Sequence, residues 1–326
     1  MFASRFVRPL ACVGLLCSVS FGAVQAQSYP NKPVRFIVPF SAGGGNDFLA
    51  RDISAFMNER VKQPFVVENK AGGGGIIGSD LVAKAAPDGY SLLMGANTAT
   101  IVDATRETSP FSLTKDLTGL GIVADMPIIL VVNPSLGVRN VQELIALSKS
   151  RPGSLNYASS GPGTVQHMAG ALFDSLAGTQ MVHIPFKGAA QMIPELLASR
   201  VQVIFSAANT ALPHIKSGAL RALAVTGDKR WSEMPDLPTV AEQGVAGYRV
   251  DLWYAVFAPK NTPRPIVDFL NKELHAYVDD PKTHERFKGQ ALSPVKTTPD
   301  EMDQRVAADV SQWKDVAAKI QFKLAE

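Results

Sequence analysis

Four short runs of glycine and small polar residues carry the chain's clearest chemical signal: Ser41-Ala42-Gly43-Gly44-Gly45-Asn46-Asp47, Gly72-Gly73-Gly74-Gly75-Ile76-Ile77-Gly78, Ser159-Ser160-Gly161-Pro162-Gly163-Thr164 and Lys187-Gly188-Ala189-Ala190. Each follows an extended apolar run and precedes a segment with helical spacing. Glycines in such a place let backbone N–H groups turn toward a ligand, and the helix start adds about half a positive charge. Two such ends facing each other across a cleft would hold an anion without any Arg or Lys. The hydroxyls of the third run would add directed donors. The first and third runs occupy equivalent places in two halves of the chain, which favours a ligand role for both over a plain strand-to-helix turn.

Other constellations are weaker. Gly73-x-Gly75-x-x-Gly78 fits the dinucleotide fingerprint, but the next extended run, Leu92-Leu93-Met94-Gly95-Ala96, ends without an acid for a ribose hydroxyl. The five histidines, His167, His183, His214, His275 and His284, show no metal-ligand spacing. There is no G-x-S-x-G elbow and no G-K-[ST] phosphate loop; Ser112-Leu113-Thr114-Lys115 fits S-x-x-K without its companion motifs. His167 falls one turn into a helix and reads as a packed residue, and Lys187 reads as a solvated loop position. No cofactor and no metal are expected.

The elements that would carry these loops alternate. Val34–Phe40 reads as a strand, Asp47–Lys62 as a helix capped by Asn46 or Asp47, Phe65–Glu68 as a strand, Ser79–Ala86 as a helix and Tyr90–Met94 as a strand. That rhythm predicts a parallel sheet flanked by helices. Two longer extended runs, Ile128–Val132 and Tyr248–Phe257, read as crossovers. Between them lie helix 140–150, strand Leu155–Ala158, helix 164–177, strand Met181–Ile184, helix 189–198 and strands Val201–Phe205 and Ala219–Thr226. Helices Arg264–Val278, Lys282–Lys288 and Asp300–Ile320 close the chain. The expected architecture is α/β and two-lobed, a clamshell with two hinge-crossing strands. Residues 27–128 and 248–326 would form the first lobe and 129–247 an inserted second lobe.

Composition agrees with two packed lobes: 326 residues, 46% hydrophobic, with 32 basic against 29 acidic side chains and no concentrated basic stripe for a nucleic acid. Met1–Ala26 has Arg5 and Arg8, no acid, an apolar stretch from Leu10 to Val24 and a Val24-Gln25-Ala26 end, the pattern of a secretory signal peptide. Its apolar part is too short for a spanning helix, and Cys12 and Cys17 both lie within it, so a mature chain starting at Gln27 has no thiol chemistry. It would carry 30 basic and 29 acidic residues.

Several motifs together resemble a known family. They are Tyr29-Pro30-Asn31-Lys32-Pro33-Val34-Arg35, the Pro39-Phe40…Gly43-Gly44-Gly45-Asn46-Asp47 loop, Val67-Glu68-Asn69-Lys70-Ala71-Gly72 and Ala86-Pro87-Asp88-Gly89-Tyr90-Ser91-Leu92-Leu93. Ser159-Ser160-Gly161-x-Gly163-Thr164, His183-Ile184-Pro185-Phe186-Lys187-Gly188, Leu237-Pro238-Thr239 and Trp253…Phe257-Ala258-Pro259 continue the match in order. The chain resembles the periplasmic solute-binding proteins of tripartite tricarboxylate transporters, the Bug family. The resemblance implies a periplasmic clamshell without catalysis that hands a small organic carboxylate to membrane transporter subunits; nothing in the sequence demands more than a monomer. It also implies carboxylate binding by Ala42, Gly43, Gly44 and Asn46 on one side and Ser159, Ser160, Gly161, Gly163 and Thr164 on the other. Asn97, Ser206 and Trp253 would meet the far end of the ligand. Ser41-Ala42 and Asn46 depart from the family's usual loop, which bears on ligand shape rather than on binding mode. The rival readings are a secreted hydrolase or dehydrogenase using the same cleft, and a ligand sensor that docks on a signalling receptor.

Overall fold

A computed structural model describes residues 29–106, 109–319 and 322. The leader expectation, Met1–Ala26, lies outside the described residues. Eleven described strands form two sheets, and the order of elements follows the alternating pattern read from the sequence.

The first sheet contains β1 (Val34–Val38), β2 (Phe65–Asn69), β3 (Ser91–Ala96), β4 (Leu117–Met126), β10 (Leu252–Pro259) and β11 (Ser293–Pro294), in the order β11-β4-β10-β3-β1-β2. The second contains β5 (Ile128–Val132), β6 (Asn156–Ser159), β7 (Val182–Pro185), β8 (Val203–Ala207) and β9 (Arg221–Val225), in the order β7-β6-β8-β5-β9. Helices α1 (Gly45–Val61), α2 (Ile76–Ala83), α3 (Thr98–Thr105) and α4 (Leu113–Asp116) serve the first sheet. Helices α5 (Val141–Ser150), α6 (Val165–Ala177), α7 (Ala189–Leu197) and α8 (Ala208–Lys216) serve the second. Helices α9 (Arg264–Asp279), α10 (Pro281–Gly289) and α11 (Pro299–Lys319) follow β10.

The chain passes between the sheets twice. Pro127 joins β4 of the first sheet to β5 of the second, so the turn lies one residue before the apolar run Ile128–Val132. The return runs through Tyr248–Asp251, which is irregular, and becomes β10 only at Leu252. The two passages are stitched together: Val250 N donates to Thr226 O at 2.9 Å, Thr226 Oγ1 donates to Val250 O at 2.7 Å, and Leu252 pairs with Met126. This is the two-lobed clamshell with two crossing segments.

The structure departs from the sequence reading in part. The strands of the first βαβαβ rhythm are parallel as expected, β1 pairing with β2 and β3, but both sheets are mixed: β10 runs antiparallel to β3 and β4, and β5 antiparallel to β8 and β9. A strand that returns from the other lobe enters from the opposite end. Strand β4 escaped notice because Gly119 and Gly121 dilute its β signal. Its core demands them, since a Cβ on Gly119 would stand 2.7 Å from the Met302 sulfur of α11. Helices α3 and α8 were also missed. The first is rich in β-branched residues (Thr98, Thr100, Ile101, Val102) and the second contains Pro213. Tertiary packing overrides these weak propensities.

Helix α1 shows the usual logic in the part that matters for the site. Leu49, Ala50, Ile53 and Met57 recur on one face and are buried against the first sheet, which fixes the helix axis and aims its first turn out of the sheet's carboxyl edge.

Candidate ligand-binding site

The first turns of four helices line one small cavity between the lobes. Its wall contains Gly44, Gly45, Asn46 and Asp47 from the start of α1 and Thr98 from the start of α3. Gln166 from the first turn of α6 and Ala207, the residue that opens α8, complete the set. Phe40, Ser41, Ala96, Ser160, Leu252 and Tyr254 fill the remaining wall. Helices α1, α3 and α8 have no side chain capping their N-terminal N–H groups, and only α6 is capped, by Thr164. Uncapped N–H groups and aligned peptide dipoles make an anion-attracting wall without cationic side chains. Asp47 is the only charged wall residue among the described residues.

Asp47 organises the first loop. Its Oδ2 accepts from Gly43 N at 3.1 Å and Arg51 Nε at 3.0 Å, and its Oδ1 accepts from Asn69 Nδ2 at 3.0 Å. Burial pushes the carboxyl up, but these hydrogen bonds, Arg51 foremost, outweigh it and hold the group below its ordinary carboxylate value. The ionised oxygens are therefore spent on the loop. Asn69 Nδ2 also donates to Phe40 O at 3.1 Å, so the end of β2 ties the loop from the other side.

The second loop is built differently. Ser159 Oγ donates to Gly161 O at 3.0 Å, accepts from Gly161 N at 3.1 Å and meets His183 Nε2 at 2.6 Å. With its own proton on Gly161 O, the hydroxyl has a lone pair for His183 in the tautomer that carries the proton on Nε2. Gly163 N donates to His167 Nδ1 at 3.1 Å, placing that ring's proton on Nε2 as well. The two imidazoles stack at 3.6 Å. Burial lowers the His183 pKa to about 4; burial, then the neighbouring His183, lowers that of His167 to about 3. Both rings are neutral supports of the loop.

The residues expected to bind ligand divide accordingly. Gly44, Asn46 and Ser160 line the cavity. Ala42 and Gly43 sit on the exposed part of the first loop, and Gly43 N is spent on Asp47. Ser159 and Thr164 are fully buried and bond inward, Thr164 Oγ1 donating to Gly161 O at 2.7 Å. Gly161 packs against Gly74 of the other lobe, and Gly163 N is held by His167. Asn97 Nδ2 donates to Asp251 O at 2.9 Å, bracing the return passage, and Ser206 Oγ donates to Ala207 O at 3.1 Å. Trp253 lies outside the cavity: Leu252 and Tyr254 face it, so strand alternation turns Trp253 to the opposite side, where Nε1 donates to Asp309 Oδ2 at 2.7 Å.

Other wall residues went unnoticed in the sequence. Thr98 Oγ1 and Gln166 Nε2 donate to no described residue, and both side chains are over nine-tenths buried at the wall. Thr98 could have been suspected, since it opens the helix that follows β3. Gln166 carried no signal. Asn46 Nδ2 donates to Met94 O at 2.9 Å, and Ser160 Oγ to Gln166 Oε1 at 3.0 Å.

The second glycine run serves the interface between lobes. Gly74 has φ +69° and abuts the carbonyl of Pro162 so closely that any Cβ would overlap it. Gly78 leaves room for Pro39, whose Cα would stand 2.7 Å from a Cβ there. The dinucleotide-like spacing thus reflects close backbone approaches. Ser112 of the S-x-x-K tetrapeptide is bound to Asp103 (3.1 Å) at the head of α4. Among the described residues there is no group of three or more His, Cys, Asp or Glu placed to hold a metal ion, and no helix long and apolar enough to cross a membrane.

Two α/β lobes, two crossing segments and a cleft lined by helix N-termini define a periplasmic binding-protein fold. Residues 49–322 match the tripartite tricarboxylate transporter family receptor model. The chain is 35% identical over 324 residues, 98% of its length and 99% of the relative's, to protein BugT of Bordetella pertussis. Among solved structures it is similar to Rpa4515 of R. palustris with adipate, at TM-score 0.86 and 33% identity over 90% of this chain and 98% of that one. It is also similar to MatC of Rhodopseudomonas palustris with bound malate, at TM-score 0.85 and 29% identity over 88% and 99%. The chain belongs to the tripartite tricarboxylate transporter receptor family, whose members are binding proteins of transporters and not enzymes.

Proposed function

We propose that this receptor captures a small organic carboxylate between its lobes in the periplasm and delivers it, as a monomer freed of Met1–Ala26, to the membrane subunits of a tripartite tricarboxylate-type transporter. The hinge would fall at Pro127 and Tyr248–Asp251, dividing the chain near residues 128 and 250, close to the 128/129 and 247/248 boundaries expected from sequence. The observation that carries the reading is the convergence of three uncapped helix N-termini on a cavity whose unspent donors include Thr98 and Gln166.

A carboxylate there would receive charge-assisted hydrogen bonds from the amides at the head of α1 on one lobe and from Gln166 Nε2 on the other, where Ser160 Oγ holds Gln166 Oε1 and so orients that amide. Contacts made only when both lobes meet shift the open–closed equilibrium toward closure. Micromolar affinity, about −8 kcal/mol, is within reach of such a set. The apolar wall of Phe40, Ala96, Leu252 and Tyr254 suits a methylene chain between two acid groups, and the similar proteins with adipate and malate support that class.

Thermal-shift screening of aliphatic and aromatic mono- and dicarboxylates tests the reading. A ligand at 100 times its Kd stabilises by about 2.7 kcal/mol, a shift of several degrees. Recovery of that ligand unchanged after incubation is the expected companion result. No shift with any carboxylate, or a chemically altered ligand, would overturn the proposal.

A further inference from the structure

Among the described residues of the cavity wall, one side-chain polar atom is both sealed from solvent and without a hydrogen-bond partner. It is Ser41 Oγ. What seals it comes from the other lobe. Gly188, at the head of α7, lies over the hydroxyl so closely that a Cβ there would overlap Oγ, and Ser41 N donates to Lys187 O at 3.4 Å. Parting the lobes would lift Gly188 away and bare this hydroxyl to water.

We propose that Ser41 couples ligand binding to closure. Its hydroxyl donates to the bound carboxylate, and in the ligand-free protein its burial without a partner opposes closure. The proposal rests on the cleft being the carboxylate site. Closing without ligand strips water from a hydroxyl and returns nothing, whereas a carboxylate oxygen within reach restores the lost bond. A contact that differs between the open and closed states is what a ligand needs to shift that equilibrium. Gly188 is the complementary part. Its φ of 171° is extended backbone open to any residue, so the glycine is explained by the close approach to Ser41 and not by its own dihedral angle.

The test uses the full mature chain, which has no cysteine once Cys12 and Cys17 are removed with the leader. Spin labels at Glu59→Cys in α1 and Lys216→Cys in α8, both exposed positions, report the lobe separation. Ser41→Ala should raise the closed-to-open ratio of the ligand-free protein about fivefold or more and at the same time weaken adipate binding about three- to tenfold. A purely structural effect would move the two readouts together. Gly188→Ala must displace the Ser41 hydroxyl for the lobes to meet and should shift the ligand-free protein toward the open state, and adding Ser41→Gly should reverse that shift by removing the side chain it strikes.

An unchanged ligand-free distance distribution in Ser41→Ala overturns the role of Ser41 whatever adipate does. So does an affinity that rises along with closure. If adipate fails to close the wild-type protein, the carboxylate reading of the cleft fails for that acid, while the ligand-free distances still decide whether the buried hydroxyl opposes closure.

Discussion

The two loops that face each other across the cleft are made from similar residues and work in opposite ways. The first-lobe loop, Ser41–Asp47, leaves the head of α1 uncapped and turns its one carboxylate back onto Gly43, Arg51 and Asn69. The second-lobe loop, Ser159–Thr164, spends its hydroxyls inward: Ser159 on Gly161 and His183, Thr164 on Gly161 and on capping α6. One loop leaves the backbone N–H groups at the head of its helix free toward the cleft; the other is a self-satisfied scaffold that presents Ser160 and, through the α6 it caps, Gln166. Identical chemistry in a sequence motif therefore does not mean identical use, because a hydroxyl already holding a backbone carbonyl has no proton left for a ligand.

Giving the first loop a cap should have the largest effect. Gly44 has φ −95° and ψ 176°, which other residues adopt freely. Gly44→Asp would place a carboxylate on the N–H groups proposed to hold the ligand and repel a second anion. We expect affinity for the best carboxylate to drop about 100-fold or more, roughly 2.7 kcal/mol. Folding stability should change by less than about 1 kcal/mol, since capping and the nearby Asp47 charge oppose each other. Gly44→Ala, which offers no acceptor, should stay within about threefold of wild type. Calorimetric titration decides it, and equal binding by all three proteins would break the contrast between the loops.

Removing the carboxylate that shapes the first loop comes next. Asp47→Ala leaves Gly43 N without its acceptor and takes one acceptor each from Arg51 and Asn69 Nδ2, and should lower unfolding free energy by about 2 kcal/mol while also weakening binding. Urea denaturation reads the first and titration the second. The matching change in the second loop is smaller: Thr164→Ala removes a helix cap and should lower stability by about 1 kcal/mol, with affinity changed less than about threefold. If Thr164→Ala abolishes binding instead, its hydroxyl reaches the ligand and the inward assignment is wrong.

Much of this arrangement was legible beforehand. Glycine runs between strand and helix signals located both loops, and the rhythm of elements gave two lobes and two passages. What could not be read was the direction of each side chain. Trp253 sits between Leu252 and Tyr254, and alternation says that one of the two sets faces the cleft without saying which. The choice is made by Asp309, far along the chain on α11, which draws the indole away. Ser159, Thr164 and Ser206 read as donors because a sequence does not show whether a carbonyl of the same loop already claims the proton. Thr98 and Gln166 were invisible for the converse reason: nothing in their neighbourhood marks them until the helix starts converge. Strand β4 was hidden by the glycines that let α11 pack on it.

The smallest effect separates the loops by pH. Native His183 and His167 titrate at about 4 and about 3, below the 6.5 of a free imidazole, so over that interval the unfolded chain binds protons that the native loop refuses. Stability from this pair is complete above pH 6.5 and falls as pH drops through 6.5 toward 4. Asp47 behaves otherwise. Its native pKa lies below the ordinary value, so its contribution persists until pH falls beneath the usual carboxylate range. Between pH 7 and about 4.5 the second loop alone should weaken. His183→Gln keeps an N–H donor for Ser159 Oγ but cannot take up a proton, so its urea midpoint should decline less steeply than wild type across that window. Asp47→Ala should run parallel to wild type there, displaced downward. Parallel curves for wild type and His183→Gln would mean that the stacked imidazoles are not what makes the second loop acid-sensitive.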